Sequence, residues 1–126
     1  MYKELHLCGC KPVDKIVEKI YSGGKDVDKN RAYVVYQYFT GIQTFLKEAD
    51  RVLKNNGLLV IFVGDNQIRK LYVPTHMLIK KMAEEIFGFK TETFFYHQMK
   101  LKKLGMPRNV TAGEIKREMA MVLRKR

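Results

Sequence analysis

The chain has 126 residues, 46% of them hydrophobic, which is enough for one modest core and too few for two independent domains. Lys and Arg number 24 against 13 Asp and Glu, a net charge of +11. No apolar run approaches the roughly 20 residues that span a bilayer, and the first residues do not lead into a signal peptide, so we expect a cytoplasmic protein without a membrane partner.

Residues 1–30 are predicted to form an N-terminal segment that matches no known family motif. Its start is strand-like and carries Cys8 and Cys10, whose close spacing disfavours a disulfide and leaves a zinc site short of ligands. We therefore expect reduced thiols and no metal. Apolar residues from 13 to 20 recur at i, i+3, i+4 and i+7, which predicts a short amphipathic helix. The polar stretch 25–30 predicts a surface loop.

The next elements are a long helix and a buried strand. Helical periodicity predicts a helix over residues 31–55, ended by Gly57 in the left-handed conformation. The run 58–63 follows at once and is apolar throughout. Because it shows no polar alternation, we expect a central strand that is covered on both faces.

After a loop that runs to Pro74, the remaining pattern predicts one helix and two strands. The helix covers residues 74–87 and ends at Gly88, and the strands cover 91–99 and 118–124. The expected fold class is α/β: a small three-stranded mixed sheet in which 58–63 is central and the last two strands pair antiparallel, flanked by the helices 31–55 and 74–87.

The positive charge is concentrated in the last third of the chain. Residues 90–126 hold ten basic and three acidic side chains, a net charge of +7, while residues 1–89 carry +4. Many of these cations fall in the long segment 100–117 between the last two strands. A localised basic surface attracts phosphates and releases their counterions, so nucleic acid is the first partner to consider. The alternative is a solvated surface that only confers solubility.

Several short motifs resemble one family. RVLKNNG at 51–57, with the apolar strand after it, is similar to the helix end and fifth strand of class I methyltransferases. The continuation resembles the C-terminal half of DNA methylases that modify N6 of adenine or N4 of cytosine. Its motifs are VGDN at 63–66, VPTH at 73–76, FGFK at 87–90, MPRN at 106–109 and IKRE at 115–118.

This resemblance implies that residues 31–126 fold as part of a Rossmann-like methyltransferase domain. It also implies S-adenosylmethionine as the cofactor and an exocyclic amino group of DNA as the methyl acceptor. The family's basic loop before the last strand contacts the nucleic acid through its phosphates. Within this loop, Asn109 either reads a base edge or stabilises a turn. The implied nucleic-acid-binding residues are Lys100, Lys102, Lys103, Arg108, Asn109, Lys116 and Arg117.

The chain lacks the family's two functional motifs, the turn that binds the cofactor and the tetrapeptide that performs the methyl transfer. The family uses a Gly-rich turn for the cofactor, whereas Gly23 and Gly24 follow a predicted helix and are expected to form a plain turn. The family's catalytic tetrapeptide contains Pro-Pro, whereas Pro12, Pro74 and Pro107 are never adjacent. We therefore predict no catalytic or cofactor-binding residue here, no activity of the chain alone, and no cofactor bound by it alone.

Two polar residues follow the predicted central strand. Asp65 and Asn66 lie at its carboxyl end, where ligands gather in α/β sheets, although the absence of the cofactor half favours a capped turn. His76 and His97 are isolated, without a nucleophile or carboxylate at motif spacing.

Three functions are possible, and the edge of the strand 58–63 has three possible covers. The chain is either a methyltransferase half that works with a complementary chain, a non-catalytic basic module that binds nucleic acid or another partner, or a fragment related to tRNA methyltransferases, which share the RVLK-type helix. The strand 58–63 would expose an apolar edge, which soluble proteins normally cover. We expect a second copy in a homodimer, residues 2–10, or a complementary methyltransferase chain to cover that edge.

Overall fold

A computed structural model of the protein describes residues 2–64, 66–68, 71–98 and 117–126. The chain divides into two compact units, Met1–Phe45 and Leu46–Arg126. The described elements confirm the α/β class. They are α1 (Lys11–Tyr21), α2 (Asp26–Val52), β1 (Leu58–Gly64), β2 (Asn66–Ile68), β3 (Leu71–Val73), α3 (Thr75–Phe87), β4 (Lys90–Gln98) and β5 (Arg117–Arg124).

The first unit begins with an irregular segment and α1. The amphipathic helix is confirmed, with Val13, Val17 and Ile20 buried. The strand-like start is wrong, because residues 2–10 contain no strand. The carboxylate of Asp14 accepts hydrogen bonds from the backbone N–H groups of Cys8 and Gly9 at 2.8 and 3.1 Å, and Gly9 has a φ of 89°. These bonds and the left-handed glycine turn the chain out of the extended conformation.

The helix α2 begins five residues earlier than predicted, so the surface loop over 25–30 is wrong for all but Lys25. Asp26 and Asp28 place negative charge in the first turn, where the positive end of the helix dipole stabilises it. The Asp28 carboxylate also accepts the Lys25 N–H at 3.3 Å, which satisfies one free donor of the helix start. Polar residues that resemble a loop in sequence therefore initiate the helix.

The end of α2 also differs from the expectation. The helix stops at Val52, and Asn56, with φ 67°, takes the left-handed conformation expected of Gly57. Gly57 is required for a different reason. A Cβ atom at Gly57 would lie 2.8 Å from the Lys54 carbonyl oxygen, which accepts the Gly57 N–H.

The second unit contains the three-stranded sheet, whose order is β1-β5-β4. The pairing of β4 with β5 is antiparallel, as predicted. The mixed sheet and the central position of β1 are wrong, because β5 lies between the other two strands and runs antiparallel to both. Two strands that are each antiparallel to a common neighbour run in the same direction without pairing. The segment before Pro74 is not a plain loop, since β2 and β3 form an antiparallel pair there.

One face of this sheet is the core of the second unit. Met119, Met121 and Leu123 of β5 are fully buried on it. The helix α3 contacts both β1 and β4. It ends as predicted at Gly88, whose φ of 72° allows the Phe89 N–H to bond the Ala83 carbonyl at 3.0 Å. Across the described ranges, no helix has the length and apolar character needed to traverse a membrane.

Candidate functional site

The other face of the sheet is apolar and exposed. We call it the open face. Residues directly opposite in an antiparallel pair point to the same side of a sheet. The register therefore puts Phe62 of β1, Ala120 of β5 and Phe95 of β4 in one row of that face. Its members are Leu58, Val60, Phe62, Ala120, Val122, Thr93 and Phe95.

Exposure on the open face is high for residues of this size. Phe62 and Phe95 are 68% and 52% exposed, and Leu58 and Val60 are 50% and 52% exposed. Between the two aromatic residues, Ala120 is 2% exposed. The expectation that β1 is covered on both faces is therefore wrong. The run 58–63 is apolar on both sides of the pleat, but only one side belongs to the core described above.

The outer edge of β1 is a second feature of the site. Of the strands that the structure describes, β5 alone pairs with β1. A strand at the edge of a sheet presents a row of backbone donors and acceptors that can pair with another chain. Residues 2–10 contain no strand, so they do not pair with this edge, and shielding of the edge by that segment stays a prediction. Cover by a second copy or by a complementary chain stays a prediction.

The strand register brings the end of β1, which precedes the predicted cleft residue Asn66, and the start of β5, at the predicted nucleic-acid-binding residue Arg117, to the same end of the sheet. Gly64 of β1 and His97 of β4 both lie opposite Glu118 of β5. The chain therefore leaves β1 toward Asn66, and enters β5 at Arg117, at the same end of the sheet. Asn66 is the first residue of β2 and pairs with Val73.

Most of the predicted nucleic-acid-binding residues cannot be placed. Arg117 is the first residue of β5, opposite Gln98, the last residue of β4. Both therefore bound the segment 99–116, which carries most of the other candidates. The remaining candidates lie outside the described residues, as does Asp65, and their roles stay predictions. They are Lys100, Lys102, Lys103, Arg108, Asn109 and Lys116.

Some cations of the last third have structural partners. The Arg124 guanidinium donates to Glu92 Oε1 at 2.6 Å and to the Asn56 carbonyl at 2.9 Å. The Lys125 ammonium donates to the backbone carbonyls of Asp50 and Leu53. These two carbonyls lie at the end of α2, where a cation is favourable. Part of the charge that composition assigns to a nucleic-acid surface therefore stabilises the fold.

The sequence did not indicate the surroundings of His76. Thr75 is the first residue of α3, one residue after the predicted start, and His76 is buried in an aromatic cluster. Its ring stacks on Phe94 at a centroid distance of 5.8 Å and meets the Tyr96 ring edge-on at 5.7 Å. Phe94 and Tyr96 are themselves 4.9 Å apart and nearly perpendicular. A histidine that looks isolated along the chain is thus a packing residue between α3 and β4.

The two adjacent glycines lie in a turn that follows a helix and not a strand. Gly23 and Gly24 follow α1, and the space that a Cβ would need at Gly23 is filled by the Asp28 carboxylate. Among the residues that can be placed, no three His, Cys, Asp or Glu form a group that could hold a metal ion. Cys8 and Cys10 are free thiols, and burial raises the pKa of Cys8 to about 11.

Residues 14–126 match the family described as DNA methylase, which comprises the N6 and N4 methylases. The chain belongs to the DNA methylase family. The match begins within α1 and thus includes residues that no motif could place. The helices and the three-stranded antiparallel sheet agree with a partial methyltransferase fold. Family membership implies methylation of DNA that depends on S-adenosylmethionine. Searches of curated proteins and of solved structures found no significant match.

Proposed function

We propose that this DNA methylase chain is the C-terminal half of an enzyme that transfers a methyl group from S-adenosylmethionine to an exocyclic amino group of DNA. The observation that carries the proposal is the family match over residues 14–126. The segments that bind the cofactor and perform the transfer are supplied by a complementary methyltransferase chain. The present chain supplies a sheet surface for that partner and a basic loop for the DNA.

The open face and the edge of β1 support the proposal that a second chain completes the enzyme. The edge can pair with a strand of the partner, and the open face can pack against its helices. Complete burial of a fully exposed large apolar side chain contributes about 1.5–3 kcal/mol, and a side chain that is half exposed contributes roughly half as much. Four exposed side chains (Leu58, Val60, Phe62 and Phe95) therefore provide a substantial driving force for association.

The basic loop supports the choice of substrate. Phosphate contacts by Lys and Arg would hold the duplex while the target base is turned out of the stack. Arginine suits this role because its guanidinium can bind a phosphate through two parallel hydrogen bonds. Arg117 sits at the base of the loop, at the end of the sheet where β1 also ends.

Methyl transfer by reconstituted chains tests the proposal. Radiolabelled S-adenosylmethionine and duplex DNA are incubated with this chain, with a chain that carries the Gly-rich turn and the Pro-Pro tetrapeptide, and with both. We expect transfer only with both chains, and we expect Phe62→Lys to abolish it by placing a charge on the open face. The matched control is Ile86→Lys, an equally apolar and half-exposed position on α3.

Two outcomes would contradict this assignment. Transfer by the chain alone would show that the catalytic groups lie within it. Equal loss of transfer in the Phe62 and Ile86 variants would remove the role of the open face.

A second candidate is a basic module that binds nucleic acid without catalysis, which the net charge of +7 in residues 90–126 favours. It predicts duplex binding that falls steeply with salt and that is indifferent to S-adenosylmethionine. Fluorescence anisotropy across a salt series, with tRNA as competitor, separates this module from the methyltransferase half and from the RNA alternative.

A further inference from the structure

The middle of α2 has an unusual composition. No Lys, Arg, Asp or Glu occurs between Arg31 and Lys47, although 29% of the chain is charged. This stretch contains three tyrosines and two phenylalanines, and it lies entirely within the helix. Depletion of charge together with enrichment in aromatic residues distinguishes the centre of a protein interface from ordinary surface.

Part of this stretch is explained by burial. Ala32, Val35 and Phe39 are buried. A second side of the helix meets the irregular N-terminal segment. There the His6 ring lies 5.2 Å from the rings of both Tyr33 and Tyr36. These two sides account for the residues that the fold itself needs to be apolar.

A third side of α2 has no such explanation. We call it the α2 stripe: Val34, Tyr38, Gly41 and Phe45. The three side chains are 42%, 46% and 47% exposed, and a Cβ at Gly41 would point into open space. The separations of four, three and four residues keep all four positions on one side of a helix, as in the seam of a coiled coil.

We propose that the α2 stripe packs against the α2 stripe of a second copy of this chain, with the two helices antiparallel. Charge is the first argument for a second copy. Each chain carries +11, so two copies repel each other over most of their surfaces. The uncharged stretch is where they can meet without opposing like charges. A partner selected by electrostatic complementarity would instead use the basic regions.

The arrangement of the α2 stripe is the second argument. A two-fold dimer needs a patch that is complementary to itself. Gly41 lies between its two aromatic residues, with Tyr38 three residues before it and Phe45 four residues after it. A two-fold axis near Gly41 sets Tyr38 of one copy against Phe45 of the other. The missing side chain lets the two backbones approach closely at the crossing.

The area of the α2 stripe determines how stable the proposed dimer should be. Fifteen helical residues span roughly 22 Å, and one helix face of that length buries less than the roughly 800 Å² per partner of a standard stable interface. We therefore expect a dimer that dissociates on dilution. This inference is independent of the proposed function.

Sedimentation velocity over a concentration series tests the dimer. We expect the wild-type chain to pass from monomer to dimer, and we expect Tyr38→Glu and Phe45→Lys each to weaken dimerisation by at least about tenfold, because a charge is then buried at the contact. Thr44→Glu is the matched control. It adds the same charge to the same uncharged stretch, at an exposed position about a quarter turn from the α2 stripe.

Mixing the two variants tests the antiparallel arrangement. Tyr38→Glu and Phe45→Lys copies should form a heterodimer when combined, since opposite charges then face each other. Circular dichroism of each variant shows whether α2 is intact. A monomeric wild type at every concentration would overturn the inference. So would a dimer that survives both α2 variants and is lost in Phe62→Lys, since the open face would then be the contact.

Discussion

The two faces of the three-stranded sheet are made of similar residues and have different surroundings. On the covered face, Met119, Met121 and Leu123 are fully buried, and α3 contacts the flanking strands. Thr91 of that face donates a hydrogen bond to Glu84 of α3 at 3.2 Å. On the open face, Phe62 and Phe95 are more than half exposed.

The difference separates apolar side chains that stabilise the fold from apolar side chains that folding leaves exposed. Apolar side chains on the covered face stabilise the fold because folding removes them from water. Equally apolar side chains on the open face gain little from folding, and their exposure is the basis for the proposed interaction there. The composition of β1 alone does not separate the two roles, since Ile61 and Phe62 are neighbours in sequence and lie on opposite faces.

The largest effect should come from truncating the covered face. Met121→Ala removes a fully buried side chain and should lower the free energy of unfolding by about 2–5 kcal/mol. Phe62→Ala on the open face should change it by less than about 0.5 kcal/mol, as is usual for surface sites. Urea denaturation of both variants measures the difference. Equal destabilisation would break the comparison, because the open face would then belong to the core.

An intermediate effect is expected where the end of the sheet meets α2. Lys125→Met removes the ammonium that donates to the Asp50 and Leu53 carbonyls. Hydrogen bonds from charged groups contribute more than neutral ones, so we expect a loss of about 1–3 kcal/mol in thermal or urea unfolding. Arg126→Met is the control, since Arg126 is the exposed last residue. A loss of the same size in both variants would point to net charge and not to these bonds.

The smallest effect belongs to an exposed ion pair at the edge of the open face. The Arg124 guanidinium hydrogen bonds to Glu92 and lowers the pKa of that carboxyl below its ordinary 4.5. A lowered pKa means that the pair stabilises the fold above pH 4.5 and that this contribution is lost as the pH falls through the folded-state value.

Glu92→Gln should therefore lose less thermal stability than the wild type on acidification. Melting temperatures across a pH series, at low and high salt, measure the difference. Salt should reduce it, because the pair is exposed to solvent. A difference that high salt leaves unchanged would indicate that the carboxylate acts through something other than this pair.

Much of the candidate site could not be read from sequence alone. Cys8, Gly9 and Asp14 form a local turn that replaces the predicted strand, and Asp28 converts a polar loop into a helix start. His76 shows the same limit over a longer range. Its aromatic neighbours follow it by some twenty residues, and only the packing of α3 on β4 brings them together. The roles of the basic residues from Lys100 to Lys116 remain predictions, because these residues lie outside the described part of the chain.

By itself, the sequence determined the family, the helix α1, the strand β1, the helix α3 with its end at Gly88, and the antiparallel pairing of β4 with β5. Each depends on a pattern contained within a few consecutive residues or on motifs that occur in order along the chain. Only the tertiary structure decided that β5 lies between β1 and β4, and that one side of β1 is core while the other is exposed. Strand order and sheet cover depend on contacts between residues distant in sequence, and no local periodicity records them.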